Sequence, residues 1–329
     1  MTNRVHLTLT VTLVLGLLSA PRLAAQQKGQ YLTGQFGLNA GIVPNPGFTY
    51  ENLARNYSAS QLNTSAGQAF PQITGKYSFW LDENIFMYVP KYKNFHGYFA
   101  PYVAVNWASG SVVADFPPLA GLNLDGQAGG SGLSDTWIEP VNFGWHFDRA
   151  DMQLGYAFVA PTGRYKPGAN NNVGSGYWGN NVNAGFTGYL TKNKGTSANA
   201  YFDYEGHTRK TGTQITPGSA VTLEWGLGQA LPLSEEHDIV GQVGFVGYDQ
   251  WQVSDNGGVI GGFGGIPASQ IPHYSVHSLG VQTNLIMDRL GLIGFFKYYD
   301  EYKAGASLEG RTFVFGLTWT YGIPKKSNP

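Results

Sequence analysis

TFVFGLTWTYG, residues 312–322, separates into two rows when every second residue is taken together. Phe313, Phe315, Leu317, Trp319 and Tyr321 form one row; Thr312, Val314, Gly316, Thr318 and Thr320 form the other. Successive side chains of a β-strand point to opposite faces. A strand here therefore offers one face suited to hydrocarbon and another that is small or polar.

The same division recurs along the chain. Met152, Leu154, Tyr156 and Phe158 stand against Gln153, Gly155 and Ala157, and Val221, Leu223, Trp225 and Leu227 against Thr222, Glu224, Gly226 and Gly228. Leu32, Phe36, Leu38, Ala40 and Ile42 stand against Thr33, Gln35, Gly37 and Asn39. In a soluble sandwich the polar row would carry solvated charge and the apolar row would be the core. Here the polar rows are Gly, Thr, Asn and Gln, and the stretches are long enough to cross a bilayer at a tilt.

Composition agrees. The 329 residues include 46 glycines and 14% aromatics, with only 12% charged residues, about half the usual quarter of a soluble domain. The expected fold class is all-β, a transmembrane antiparallel β-barrel of about twelve strands. The strands are expected near 31–43, 71–89, 95–109, 134–147, 151–161, 178–191, 196–206, 219–231, 238–251, 274–286, 290–303 and 310–322. Short connections at 147–151, 191–195, 233–237 and 287–291 alternate with long ones near 44–70, 110–133, 162–177, 207–218 and 252–273. Short periplasmic turns and long outer loops have this alternation, and an even strand count puts both termini in the periplasm.

The N-terminal residues carry Arg4, an apolar run from Val11 to Leu18, and a small-residue exit at Ala24 and Ala25. This reads as an export signal over residues 1–25, leaving 26–329 as a single barrel domain. Losing Arg4 and Arg22 moves the formal charge from −1 to −3, so the basic footprint of a nucleic-acid binder is missing. There is no cysteine, which removes disulfides and thiolate metal sites.

The last strand carries Gly316, Trp319 and Tyr321 in a spacing that resembles the C-terminal signal read by the barrel assembly machinery. More broadly, IVPNPG (42–47), LSDTWIEPVNFGWH (133–146), APTGRY (160–165), GYW (176–178) and TLEWGLGQAL (222–231) resemble, in order and spacing, the outer-membrane family of the Putative MetA-pathway of phenol degradation. The resemblance implies a barrel concerned with uptake of aromatic or other hydrophobic small molecules. It implies no catalytic residue.

A literal G-x-G-x-x-G stands at Gly174, Gly176 and Gly179. A dinucleotide site needs a helix after the glycines, but an alternating strand follows, so the glycines read as a loop corner. Pro161, Gly163, Tyr165 and Trp178 then belong to a mouth loop. Lys297 alternates with Phe296 and Tyr298, and facing midplane lipid would cost it about 2–4 kcal/mol, so it is expected to point inward. Phe295 shares its face, and Glu224, Asp203 and Glu205 face inward by the same parity.

These residues are the expected lumen or solute path, either as a charged constriction that selects solutes or as a network bracing the wall. The glycine-rich stretches at 43–47 and 257–265 are candidates for a plug or a cover. Tyr31, Trp80, Trp107, Trp145, Trp178, Trp251 and Trp319 are expected in interfacial girdles.

His273 with Ser275, His277 with Ser278, and Asp249 beside His237 are the only candidate catalytic pairs, and none sits in a nucleophile motif. The seven histidines form no ligand cluster. The expectation is a non-enzymatic channel or transporter without cofactor or metal. Its partners are small hydrophobic or aromatic solutes, outer-membrane lipid and the assembly machinery. A surface-interaction barrel acting through its long loops is the alternative, and an outer-membrane hydrolase a minor one.

Overall fold

The computed structural model describes residues 29–70, 74–115, 126–236, 238–260 and 265–322. The export signal expected at 1–25 lies outside the described residues. Each strand is named here in chain order: β1 Gly47–Leu62, β2 Thr74–Val89, β3 Tyr102–Asp115, β4 Thr136–His146, β5 Ala150–Ala160 and β6 Gly179–Tyr189. There follow β7 Thr196–His207, β8 Ala220–Pro232, β9 Ile239–Gln252, β10 Ser275–Met287, β11 Leu292–Gly305 and β12 Leu308–Tyr321. A two-residue segment, Tyr98–Phe99, leads into β3, and Gly126–Leu133 forms the upper half of β4.

Every neighbouring pair is antiparallel, and β1 pairs with both β2 and β12, from Phe48↔Tyr321 to Leu62↔Leu308. β4 pairs with β3 through Tyr102↔Glu139, and its upper half through Trp107↔Leu133. The sheet thus closes on itself as a twelve-stranded barrel. Closure is required because lipid offers nothing to an unpaired strand edge.

Three of the four outward rows read from sequence, those of β5, β8 and β12, are confirmed. Phe315 is 52% exposed, Leu154 51% and Leu227 55%, forming an apolar belt on the outer surface. Trp80, Trp107, Trp178 and Trp319 are exposed on the same surface.

Two expectations fail. Residues 31–43 are not a strand: Leu38 and Ala40 are fully buried inside the barrel, and Tyr31 is 4% exposed there rather than in a girdle. Gly34 and Gly37 take φ of +82° and +59°, a left-handed backbone that an extended strand does not use. The first strand instead runs through a stretch read as loop. Its outward row, Phe48, Tyr50, Asn52, Ala54, Asn56 and Ser58, turns polar halfway and so gave no apolar alternation. The loop expected at 110–133 is likewise largely strand, since Ser109, Ser111 and the glycines of 126–132 lack an apolar row.

The short connections 147–149, 190–195, 233–238 and 288–291 lie at the end where β1 starts and β12 stops. Loops 161–178, 208–219 and 253–274 lie at the other end. The residues before β1 thread the lumen toward that long-loop end. Gly29 lies against Glu205 there, and Val43 against Gly144 at the short-turn end.

Candidate functional site: the lumen and its plug

Residues 29–43 fill the barrel as a plug, and the wall is shaped to receive it. A Cβ on Gly185 would stand 1.7 Å from the Ala40 carbonyl oxygen, and one on Gly144 2.3 Å from Val43. Inward glycines therefore supply the space that the plug occupies, which gives a physical reason for part of the glycine content.

The inward charges hold the plug by its backbone. Glu224 on β8 accepts from the Tyr31 hydroxyl at 2.7 Å and from four successive amides: Gly34 at 2.7 Å, Gln35 at 3.0 Å, Phe36 at 2.9 Å and Gly37 at 3.2 Å. Consecutive N–H groups converging on one carboxylate form an anion nest. Lys297 on β11 donates to the carbonyls of Gly34 (3.3 Å) and Gln35, and Arg55 on β1 donates to the Thr33 carbonyl and, at 3.0 Å, to Gln35 Oε1. Glu224 and Lys297 thus grip opposite polarities of the same turn.

The other sequence-derived lumen residues fall as follows. Glu205 accepts from the amides of Gln30 (2.8 Å) and Tyr31 (3.1 Å) and from His207 at 3.3 Å. Asp203 is fully buried and accepts from Asn181 Nδ2 at 2.8 Å. Phe295 lies inward with its ring centre 5.1 Å from Lys297 Nζ. All five face inward as expected. Glu224, Lys297 and Glu205 bind plug backbone, which neither the constriction nor the wall-bracing reading contained.

Above the plug lies a cavity of about 240 Å³. Aromatic rings line it: Tyr57, Tyr77, Tyr102 and Trp137 from the wall, Tyr177 from the mouth loop and Phe36 from the plug. A second cavity of about 540 Å³ lies between loops 161–178, 208–219 and 253–274, and shares Gly29 and Tyr177 with the first.

Loop 161–178 is folded over the lumen by Asp135, in the break between the two halves of β4. Its carboxylate accepts from the Gly163 amide at 3.0 Å, and from the amide (2.7 Å) and hydroxyl of Ser175. Gly163 and Gly174 meet backbone to backbone, since a Cβ on Gly163 would lie 2.7 Å from the Gly174 Cα. Tyr165 packs against Gly176, Lys210 lies over the Tyr165 ring at 5.1 Å, and Trp178 is exposed just before β6. Burial, with Glu205 and Asp135 nearby, holds the Tyr177 phenol above the usual tyrosine range, so it stays a protonated hydroxyl beside the cavity.

Asp135→Ala should free this loop, since it orphans two buried amides at about 1–3 kcal/mol each. The expected result is faster tryptic cleavage after the exposed Arg164 in folded protein. An unchanged digestion rate would refute the Asp135 lock.

Arg55 and Asp135 were missed in the sequence. Arg55 stood in a stretch read as loop, and the contacts of Asp135 to Gly163 and Ser175 span 28 and 40 residues. An Arg at inward parity two residues from Leu53 was the available signal for the first. Of the candidate catalytic pairs, His277 faces outward and bonds Asp249 at 2.7 Å, whereas Ser278 faces inward onto the Asp300 carbonyl. His273 bonds the exposed Asp255, and His237 lies outside the described residues.

Residues 59–286 match the profile of a family described as Putative MetA-pathway of phenol degradation. No curated protein matches. Among solved structures, the chain is similar to the COG4313 outer membrane channel from Pseudomonas putida F1, with TM-score 0.66 and 10% identity over 89% of this chain and 100% of that one. It is also similar to the β domain of the Bordetella autotransporter BrkA, with TM-score 0.51 and 9% identity over 84% of this chain and 100% of that one. At these identities the likeness is one of fold.

Proposed function

Since the chain belongs to the family of the Putative MetA-pathway of phenol degradation and forms an outer-membrane barrel, we propose that it is a plugged channel for passive uptake of small hydrophobic or aromatic compounds. The observation that carries this reading is the aromatic-lined cavity of about 240 Å³ between plug and mouth loop. An apolar cavity of about 150 Å³ holds benzene in another protein, so the volume admits a single-ring solute, with Arg55, Glu83, Asp135 and Glu301 also on the lining.

In this reading the solute is received between the outer loops and passes Tyr177 into the aromatic cavity. It continues toward the periplasm when the plug yields. Phe295 and the methylene stem of Lys297 offer an apolar surface on that route, while Glu224, Glu205 and the Lys297 ammonium hold the closed state and Asp203 braces the wall through Asn181. Mouth residues Pro161, Gly163, Tyr165 and Trp178 shape the way in.

Uptake of a single-ring solute that lipid alone excludes, such as benzenesulfonate, into proteoliposomes tests the proposal. Uptake above that of empty liposomes is expected, and Leu81→Trp, which fills the cavity from a buried wall position, should reduce it severalfold. The gel shift on boiling that marks a folded barrel should persist. Equal uptake by protein-free liposomes would refute the channel reading.

A further inference from the structure

The lipid-facing surface is apolar across most of the barrel, but not on β1 and β2. The outward row of β2 runs Trp80, Asp82, Asn84, Phe86, Tyr88, so an acid and an amide sit between aromatic residues that mark the two interfaces. Beside them on β1 are Tyr50 and Asn52; the register sets Asn52 opposite Asn84 and Ala54 opposite Asp82. In contrast, the next strand on one side presents Phe313, Phe315 and Leu317, and on the other Val105 and Trp107.

The cluster is half satisfied within the chain. Asn52 Nδ2 donates to Asp82 Oδ1 at 2.6 Å and to Asn84 Oδ1 at 3.3 Å, and the Tyr50 hydroxyl donates to Asn84 Oδ1 at 2.6 Å. Among the described residues, Asp82 Oδ2 and Asn84 Nδ2 have no partner, and no cation pairs with Asp82. Two other outward acids among the described residues are paired: Asp249 with His277 and Trp225, Asp300 with Arg311. Ionisable groups within a membrane face protein or pair with one another.

We propose that the β1–β2 face is the contact surface of a homodimer in the membrane. One unpaired acceptor and one unpaired donor lie side by side, so the patch is complementary to a second copy of itself. A two-fold axis along the membrane normal turns that one surface into both halves of the contact. The Asn84 amide of one copy then meets the Asp82 carboxylate of the other. Lipid headgroups are the weaker occupant, because Trp80 and Tyr88 bracket the patch on both sides.

The chain has no cysteine, so single-cysteine variants report directly. Phe86→Cys, which leaves the polar cluster intact, should give dimers with a short bismaleimide in vesicles at high lipid-to-protein ratio. Val281→Cys, equally outward on β10, should not. Adding Asp82→Leu and Asn84→Leu to Phe86→Cys should cut the cross-linked fraction at least tenfold while the gel shift on boiling persists. Monomers only, equal cross-linking at position 281, or cross-linking in native membranes to a different protein would each overturn the proposal.

Discussion

Deleting residues 29–43 should raise single-channel conductance at least tenfold over the intact protein. The intact lumen is closed by side chains: Tyr201, Tyr248 and Tyr299 from the wall and Leu38 and Ala40 from the plug are each no more than 1% exposed. Barrels of about eight strands fill themselves and those of 16–18 hold an aqueous channel, so twelve strands leave a space that one chain segment can occupy. The plug contributes no strand to the sheet, and the wall hydrogen bonds survive its removal. The measurement is planar-bilayer conductance of variant and parent, both checked for the gel shift on boiling. Equal conductance would mean that the wall alone shuts the lumen.

Glu224→Ala should have the second-largest effect, in the same direction and without deleting any chain. It leaves the buried amides of Gly34 and Gly37, the part-buried amides of Gln35 and Phe36, and the Tyr31 hydroxyl without their acceptor. Orphaned buried donors cost about 1–3 kcal/mol each. A net loss of only about 4 kcal/mol would multiply the released fraction roughly a thousandfold. Hydrogen exchange at Gly34, Gln35, Phe36 and Gly37 should accelerate and open events become frequent, whereas Glu224→Gln, which keeps two lone-pair acceptors on one oxygen, should fall between. If exchange at those amides stays slow in Glu224→Ala, the latch is elsewhere.

The barrel was legible wherever strand parity coincided with an apolar outward row. β12, β5 and β8 are of that kind, and the inward placement of Lys297 and Glu224 followed from parity alone. The plug was misread because Leu32, Phe36, Leu38, Ala40 and Ile42 alternate as a lipid-facing row does. Period two reports a pattern of side chains, and burial inside a barrel produces it as readily as burial in lipid. β1 was lost for the converse reason, since Asn52, Asn56 and Ser58 face outward. The role of Glu224 was beyond sequence reasoning because its partners are backbone amides, which every residue but proline carries.

The plug is joined to β1 by residues 44–46 alone, including Pro44 and Pro46. Three residues reach about 10 Å when fully extended, so a released plug stays tethered beside its socket. Re-closure is therefore a first-order event, with a rate independent of protein concentration. A solute in the lumen competes with a tethered ligand whose effective concentration is on the order of millimolar. Occupancy of the path, and so the flux, should saturate with solute as binding to a site does, rather than rise in proportion as through an open hole.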